Sequence, residues 1–337
     1  MKGARLVYFD ALKLFAIYLV IWGHCINWYQ LGHGEYDAIY RYIYSFHMPL
    51  FMMISGYFSY SSMQLTACSF FKKKFKNLIY PCISWGFILW IIVEPTHSFQ
   101  YGHHHFSWVG LIVDFYWLSD FWFLKSCFLC YCLLYLCVHS RVKKKIWIPI
   151  SLILSQGCSP FYFSFLYPCF LLGWLTKDKE NFAKVVNKYA LALIVLFCIM
   201  LIFWDFNAWQ KSHGLPSNIL RSGFMAIIET GVFRLFRLFI GIIGSLSVIS
   251  IFRYLFKSKS QHISSFCSKW GTYTLETYIF QSIIIERILH RYINISDSIY
   301  YPSIVLPILS FLILSLCVYL TILLRRSQVL AQLLWGK

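Results

Sequence analysis

Residues 9–28 read FDALKLFAIYLVIWGHCINW, a run that is long and apolar enough to cross a bilayer as one helix. Four polar residues interrupt this run, namely Asp10, Lys13, His24 and Asn27. At 100° per residue, His24 lies about 20° from Lys13 around the helix, and the other two lie within about 60° of one of them. An ionisable side chain near the middle of a membrane helix costs roughly 2.5–3.5 kcal/mol. We therefore expect this shared helix face to carry chemistry.

The composition of the whole chain predicts a multi-pass membrane protein. Of its 337 residues, 59% are hydrophobic and only 13% are charged. Apolar runs of about 18 residues or more recur along the chain, and the short polar loops between them leave no room for a sizeable soluble domain. We predict an all-α, polytopic integral membrane protein with a single transmembrane domain over residues 1–337.

The net charge of +17 is better explained by membrane topology than by nucleic-acid binding. The basic residues occur in clusters between candidate spans, and the positive-inside rule assigns such clusters to the cytoplasm. Ten spans with both termini cytoplasmic satisfy this alternation. We expect the inner (plasma) membrane of a bacterial cell as the location and no nucleic acid as a partner. The predicted spans are 6–28, 42–62, 78–95, 120–138, 146–159, 162–176, 189–206, 233–256, 264–285 and 303–324.

The polar face of the first span predicts proton transfer and anion binding. His24 lies about 16 Å beyond Lys13 along the helix. Histidine accepts and returns protons near neutral pH, and a cation in the membrane suits a phosphate-bearing ligand. The second span brings His47 to a similar depth. Two alternatives stay open, because Asp10 and Lys13 can simply neutralise each other and His24 can be a packed, hydrogen-bonded histidine.

Six segments, taken in order, resemble landmarks of the membrane acyltransferase 3 family. Within that family the chain is most similar to stand-alone O-acetyltransferases that act on fucose, exopolysaccharide or capsule sugars. The segments are FDALKLFAIYLVIWGH (9–24), FHMPLFMMISGYF (46–58), KKKFKNLIYP (72–81), WFL (122–124), FLLGW (170–174) and GTYTLETYIFQS (271–282).

The resemblance implies transfer of an acyl group, usually acetyl, from acyl-coenzyme A to a carbohydrate hydroxyl. The family signature in span one is a basic residue, ten further residues and a histidine, which Lys13 and His24 match with lysine where arginine is common. This implies that His24 is essential and that Lys13 assists it. We add His47 and Asp10 as catalytic candidates, and we expect no metal cofactor.

The basic run before Pro81 resembles the approach to span three in the family, where it implies contacts with the coenzyme. Lys74 stands where an arginine is expected, and Lys73 and Lys76 are its neighbours. A lysine binds phosphate as a point charge without the bidentate fork of arginine. These lysines can alternatively serve topology alone.

Four further residues are candidates for binding the acceptor: Asn27, Trp122, Arg234 and Arg237. The two arginines can instead pair with Glu229, and Trp122 can be an aromatic residue of the membrane boundary.

We thus predict an O-acyltransferase that modifies a surface-glycan sugar or its lipid-linked precursor, with acetyl-coenzyme A (acyl-coenzyme A) as co-substrate. Its expected partners are acyl-coenzyme A, a sugar or polysaccharide acceptor and membrane lipid. His24 acts as general base for direct attack, or alternatively forms an acyl-histidine intermediate. The rival interpretation is a transporter or flippase of a polar lipid or sugar. A non-catalytic membrane subunit would leave the polar face of span one unexplained.

Overall fold

The computed structural model describes residues 7–29, 36–89, 121–156, 160–177, 180–213, 224–256, 261–289 and 301–336, and in these ranges the chain forms helices joined by turns, with no strand. The prediction of an all-α fold is confirmed. The helices are α1 (Val7–Tyr29), α2 (Ala38–Tyr57), α3 (Tyr60–Met63), α4 (Ala67–Lys74), α5 (80–89), α6 (Trp122–His139), α7 (Lys144–Gln156), α8 (Phe163–Thr176), α9 (Glu180–Lys188), α10 (Ala190–Ile202), α11 (Phe206–Ser212), α12 (Phe224–Leu255), α13 (Gln261–Trp270), α14 (Thr274–Ser282), α15 (Leu306–Arg325) and α16 (Gln328–Trp335).

The chain forms two compact units. The first unit comprises Met1–Phe58 and Pro168–Tyr319, and the second comprises Ser59–Tyr167 and Leu320–Lys337. In the first unit α1 packs against α2, α13 and α14, while α12 packs against α2, α10 and α11. In the second unit α6 packs against α4, α7 and the π-helical turn that follows α4. A single domain over residues 1–337 stays a prediction.

Several of these helices are long and apolar enough to cross a membrane. Within the described ranges they are Val7–Tyr29, Trp122–His139, Ile228–Leu255 and Tyr301–Arg325. The pair α10 and α11, bent by 93°, adds a fifth if it counts as one span. The multi-pass membrane class is thereby supported, and the count of ten spans stays a prediction.

Helices α2 and α8 cross in backbone contact. A Cβ atom added at Gly56 would overlap the carbonyl oxygen of Phe170, and one added at Gly173 would overlap the carbonyl oxygen of Met53. Small residues permit this close approach of membrane helices. Association of such helices is stabilised by packing and not by the hydrophobic effect. The crossing holds α2, and therefore His47, in place within the first unit.

Replacing Gly56 with valine is expected to lower the stability of the protein by more than about 3 kcal/mol, since the branched side chain must push a backbone apart. The measurement is the thermal unfolding midpoint of the detergent-solubilised protein, monitored by size-exclusion chromatography with fluorescence detection. Gly231→Val is the matched control, because a Cβ at Gly231 meets nothing within 4 Å. Equal midpoints for the two variants would contradict the close crossing.

The helix over the predicted ninth span, 264–285, is interrupted. Residues 271–273 interrupt it between α13 and α14. A Cβ at Gly271 would lie 2.5 Å from the carbonyl oxygen of Asp10 on α1. The chain therefore breaks its helix where its backbone touches the first helix, a tertiary contact that hydrophobic periodicity does not reveal.

The helix of the predicted third span begins at Ala67 and not at residue 78. It runs through α4, the π-helical turn Phe75–Ile79 and α5, so the basic run is helical. Its first turns pack against the second half of α6, where Phe70 stacks on Tyr135 with ring centroids 4.0 Å apart. The remaining predicted residues of this span, 90–95, lie outside the described ranges.

Side-chain hydrogen bonds join the last helix, α16, to α5. Tyr80 donates its hydroxyl to the carbonyl of Leu333 at 3.1 Å, and Ser84 donates to the carbonyl of Leu334 at 2.8 Å. These acceptors belong to the final turn of a helix, whose carbonyl groups have no partner within the helix. The position of α5 in the second unit is fixed in this way.

Candidate active site

His24 and Glu286 form a hydrogen-bonded pair in the first unit. Nδ1 of His24 lies 2.8 Å from Oε1 of Glu286. The second carboxylate oxygen of Glu286 accepts a hydrogen bond from Ser282, one turn earlier, at 3.3 Å. A carboxylate accepts and does not donate, so it holds the neutral imidazole in the tautomer that is protonated at Nδ1. Nε2 then carries the lone pair, as a general base requires.

Helices α1 and α2 approach closely beside this pair. A Cβ at Gly23 would lie 2.5 Å from the ring of Tyr44, so the residue before His24 must be small. The ring of Tyr44 packs edge-on against His47 at 4.6 Å between centroids. His47 is buried, its Nδ1 lies 2.7 Å from the carbonyl oxygen of Ile43, and it interacts electrostatically with His24. The structure therefore brings the two predicted histidines together.

Arg237 belongs to the same cluster. It is buried and interacts electrostatically with His47. Its guanidinium carbon lies 5.7 Å from the ring centroid of Trp209, which in turn packs edge-on against Tyr44 at 5.9 Å. A guanidinium over an indole face is a favourable cation–π arrangement. We call His24, Glu286, His47 and Arg237 the histidine cluster.

Asn27 and Arg234 lie one turn away from members of this cluster. Asn27 is half-buried and follows His24 on α1, while Arg234 is half-buried and precedes Arg237 on α12. Glu229, the alternative partner of the arginines, forms an ion pair with Lys211.

Asp10 and Lys13 form a separate site near the start of α1, about 16 Å from His24 along the helix. Nζ of Lys13 lies 3.7 Å from Oδ1 of Asp10 and 4.6 Å from the ring centroid of Phe58. The pairing that we considered as an alternative is therefore present. The separation is longer than a hydrogen bond, and 28% of the Lys13 side chain is exposed.

In the second unit, burial separates Lys74 from the other lysines of the basic run. Its ammonium nitrogen lies 3.4 Å from the ring centroid of Tyr131 on α6, and the residue is buried. Burial lowers the pKa of Lys74 to about 8. Lys73 and Lys76 are exposed, and Lys73 lowers the pKa of Lys74 further by like-charge repulsion.

Trp122 stands at the start of α6, also in the second unit. It is half-buried, and its ring packs edge-on against Tyr162 at 5.1 Å between centroids. The contact with Tyr162 covers one side of the Trp122 ring.

A family model described as an acyltransferase domain matches residues 6–325. The chain belongs to this acyltransferase family. It is also 27% identical over 232 residues to the nodulation protein NolL of Mesorhizobium japonicum, covering 63% of this chain and 58% of that protein. Against the nodulation protein NolL of Sinorhizobium fredii it is 26% identical over 229 residues, covering 64% of this chain and 61% of that protein. The chain thus spans about three fifths of the length of these curated relatives. No solved structure matches it.

Membership in the acyltransferase family confirms the resemblance predicted from the six landmarks. The residue of the site that sequence reasoning missed is Glu286. It lies one residue beyond the predicted end of span nine, within the π-helical turn Ile283–Ile288. The available signal was the same as for the first span, namely an acidic residue inside an apolar run, IIIERIL.

Proposed function

We propose that this protein transfers an acyl group, with acetyl as the expected one, from acyl-coenzyme A to a hydroxyl of a surface-glycan sugar or of its lipid-linked precursor. The expected setting is the inner (plasma) membrane of a bacterial cell. The observation that carries the proposal is the hydrogen bond between His24 and Glu286 in a chain of the acyltransferase family. A carboxylate that orients an imidazole is an arrangement by which proteins prepare a general base.

In the proposed reaction Nε2 of His24 removes the proton of the acceptor hydroxyl. The oxygen then attacks the thioester carbonyl carbon, a new C–O ester bond forms and the C–S bond breaks. The imidazolium returns the proton to the departing thiolate, so free coenzyme A leaves as the thiol. Glu286 stabilises the transient positive charge on His24. In the alternative, Nε2 attacks the thioester first and the acyl group passes to the sugar in a second step.

The acceptor is proposed to lie beside His47 and Arg237. Arg237 offers several N–H donors to sugar hydroxyl groups. The neighbouring ring of Trp209 supplies an aromatic wall. Asn27 and Arg234, each one turn from the cluster, extend this polar surface, and Trp122 stays a candidate for sugar contact in the second unit.

The donor phosphates are proposed to bind lysines. Lys13 is one candidate, because its side chain is partly exposed near the predicted cytoplasmic end of α1, where it pairs with Asp10. In the second unit Lys74 is a separate candidate, because its burial makes its ammonium group costly to charge without an anion nearby. Lys73 and Lys76 add attraction from the surface, which salt screens.

Replacing Lys74 with methionine is expected to raise the KM for acetyl-coenzyme A about tenfold or more at pH 7, which is the size of one charge-assisted hydrogen bond. In the wild type this KM should also rise as the pH passes about 8, since Lys74 then loses the proton that attracts phosphate. Lys74→Arg should flatten this pH dependence because guanidinium stays charged. Lys145→Met, at an exposed position on α7, is the control. Equal KM values for the wild type and Lys74→Met would remove Lys74 from the donor site.

The test of the proposed function uses purified full-length protein in proteoliposomes supplied with acetyl-coenzyme A and a candidate glycan. Transfer predicts release of free coenzyme A thiol that depends on the acceptor and matches the O-acetyl groups formed. A transporter or flippase instead predicts movement of the sugar or lipid with acetyl-coenzyme A unconsumed. Movement without thiol release would replace the proposal by this rival.

A further inference from the structure

A crevice in the second unit lies outside the sites described above. It has a volume of about 230 Å³. The π-helical turn Phe75–Ile79 and α5 form one wall, α6 forms the other, and Phe161 completes the lining. Its lining residues are Phe75, Ile79, Cys82, Ile83, Lys125, Phe128, Leu129 and Phe161.

The chemistry of this lining combines a hydrocarbon surface with one cation. Among the eight lining residues, Lys125 alone carries a charge, and it is buried. Its ammonium nitrogen lies 5.2 Å from the ring centroid of Phe161 and acts electrostatically on Cys82. In a crevice of low polarity a cation and an anion attract each other more strongly than they do at the surface.

The size and the rim of the crevice favour a narrow chain. Its volume is below the roughly 300–1,000 Å³ of pockets for drug-sized ligands. At its edge Phe75 is 46% exposed and Ile83 is 41% exposed, so the opening is itself apolar. In a membrane protein such an opening can admit a lipid chain from the side.

Two irregularities of the backbone coincide with this crevice. Phe75 and Ile79 belong to a π-helical turn, a feature that recurs at functional sites because it shifts the register of the side chains. Phe161 and the next residue, Tyr162, both have φ of 55°, in the left-handed region that residues with a Cβ rarely adopt. Such strain tends to be retained at ligand-binding positions.

We propose that this crevice binds a hydrocarbon chain that ends in an anionic headgroup, with the headgroup paired to Lys125 and the chain lying along Ile79 and Phe128. Two kinds of lipid combine a hydrocarbon chain with an anionic headgroup in this way, namely an anionic phospholipid of the bilayer and a polyprenyl phosphate. This binding site does not depend on the proposed acyl transfer.

The test is native mass spectrometry of delipidated full-length protein, titrated separately with phosphatidylglycerol, phosphatidylethanolamine of the same chains and undecaprenyl phosphate. The wild type should bind one anionic lipid at least about fivefold more tightly than the zwitterionic one, the scale of one lysine near an anionic headgroup. Lys125→Met should abolish this preference and Lys125→Arg should keep it. Ile79→Trp, which fills the crevice, should remove the bound lipid whatever its charge.

Matched controls are Lys145→Met at an exposed position and Leu136→Trp on an exposed face of α6, both of which should bind lipid as the wild type does. Tighter binding of phosphatidylglycerol would identify a bilayer lipid as the occupant, and tighter binding of undecaprenyl phosphate would identify a lipid carrier. An unchanged preference in Lys125→Met, or an unchanged number of bound lipids in Ile79→Trp, would overturn the proposal.

Discussion

Replacing His24 with alanine is expected to lower the rate of acyl transfer by about 10²–10⁴-fold, the usual contribution of a general base. The loss should fall on kcat, because the proposed donor contacts at Lys13 and Lys74 do not involve His24 and the KM for acetyl-coenzyme A should change little. The measurement is transfer of labelled acetyl from acetyl-coenzyme A to the glycan by purified protein at matched expression.

His139→Ala is the matched control for this variant. His139 lies at the exposed end of α6 in the second unit, stacked on Tyr135, and its ring nitrogen lies 3.0 Å from the carbonyl oxygen of that residue. Its loss should leave the transfer rate unchanged. A rate for His24→Ala within twofold of the wild type would show that the base is elsewhere. If instead labelled acetyl accumulates on wild-type His24, the two-step route replaces direct attack.

Replacing Glu286 with glutamine is expected to lower kcat at least about 10²-fold, with the KM for acetyl-coenzyme A unchanged. The change preserves the shape of the side chain and removes its charge. An amide no longer stabilises the imidazolium, and its NH₂ group can fix the wrong tautomer, an effect that costs about 10⁴ in serine protease triads. Glu286→Asp keeps the charge but lengthens the 2.8 Å contact, so part of the rate should return.

Glu229→Gln is the control for a lost carboxylate, because Glu229 pairs with Lys211 at a site where both side chains are well exposed. Its transfer rate should equal that of the wild type. A fall in the thermal midpoint of Glu286→Gln without a fall in kcat would reduce Glu286 to a structural role. So would equal activity of the glutamine and aspartate variants.

The first helix could be predicted well from the sequence because one property, its long apolar run, determines it. The predicted span 6–28 agrees closely with the observed helix Val7–Tyr29, because a long apolar run has few other conformations in a membrane. His24 could be singled out because placing an ionisable side chain within that apolar run costs free energy, and such a cost calls for a functional reason.

The remaining features depend on contacts between distant parts of the chain. Glu286 follows His24 by more than 250 residues in sequence, and no periodicity joins them. The break at Gly271 arises from its contact with the backbone of Asp10. Lys73, Lys74 and Lys76 look alike in the sequence, and only the packing of Lys74 on α6 makes it the buried one.

The most direct test of the central claim is the O-acetyl content of the surface glycan, measured by NMR in a strain of the source organism that lacks the gene. The strain is complemented with the wild type, His24→Ala or His139→Ala at equal protein levels. We predict that deletion removes an acyl signal, that the wild type and His139→Ala restore it, and that His24→Ala does not. Full acylation with His24→Ala would contradict the mechanism, and unchanged acylation on deletion would contradict the function itself.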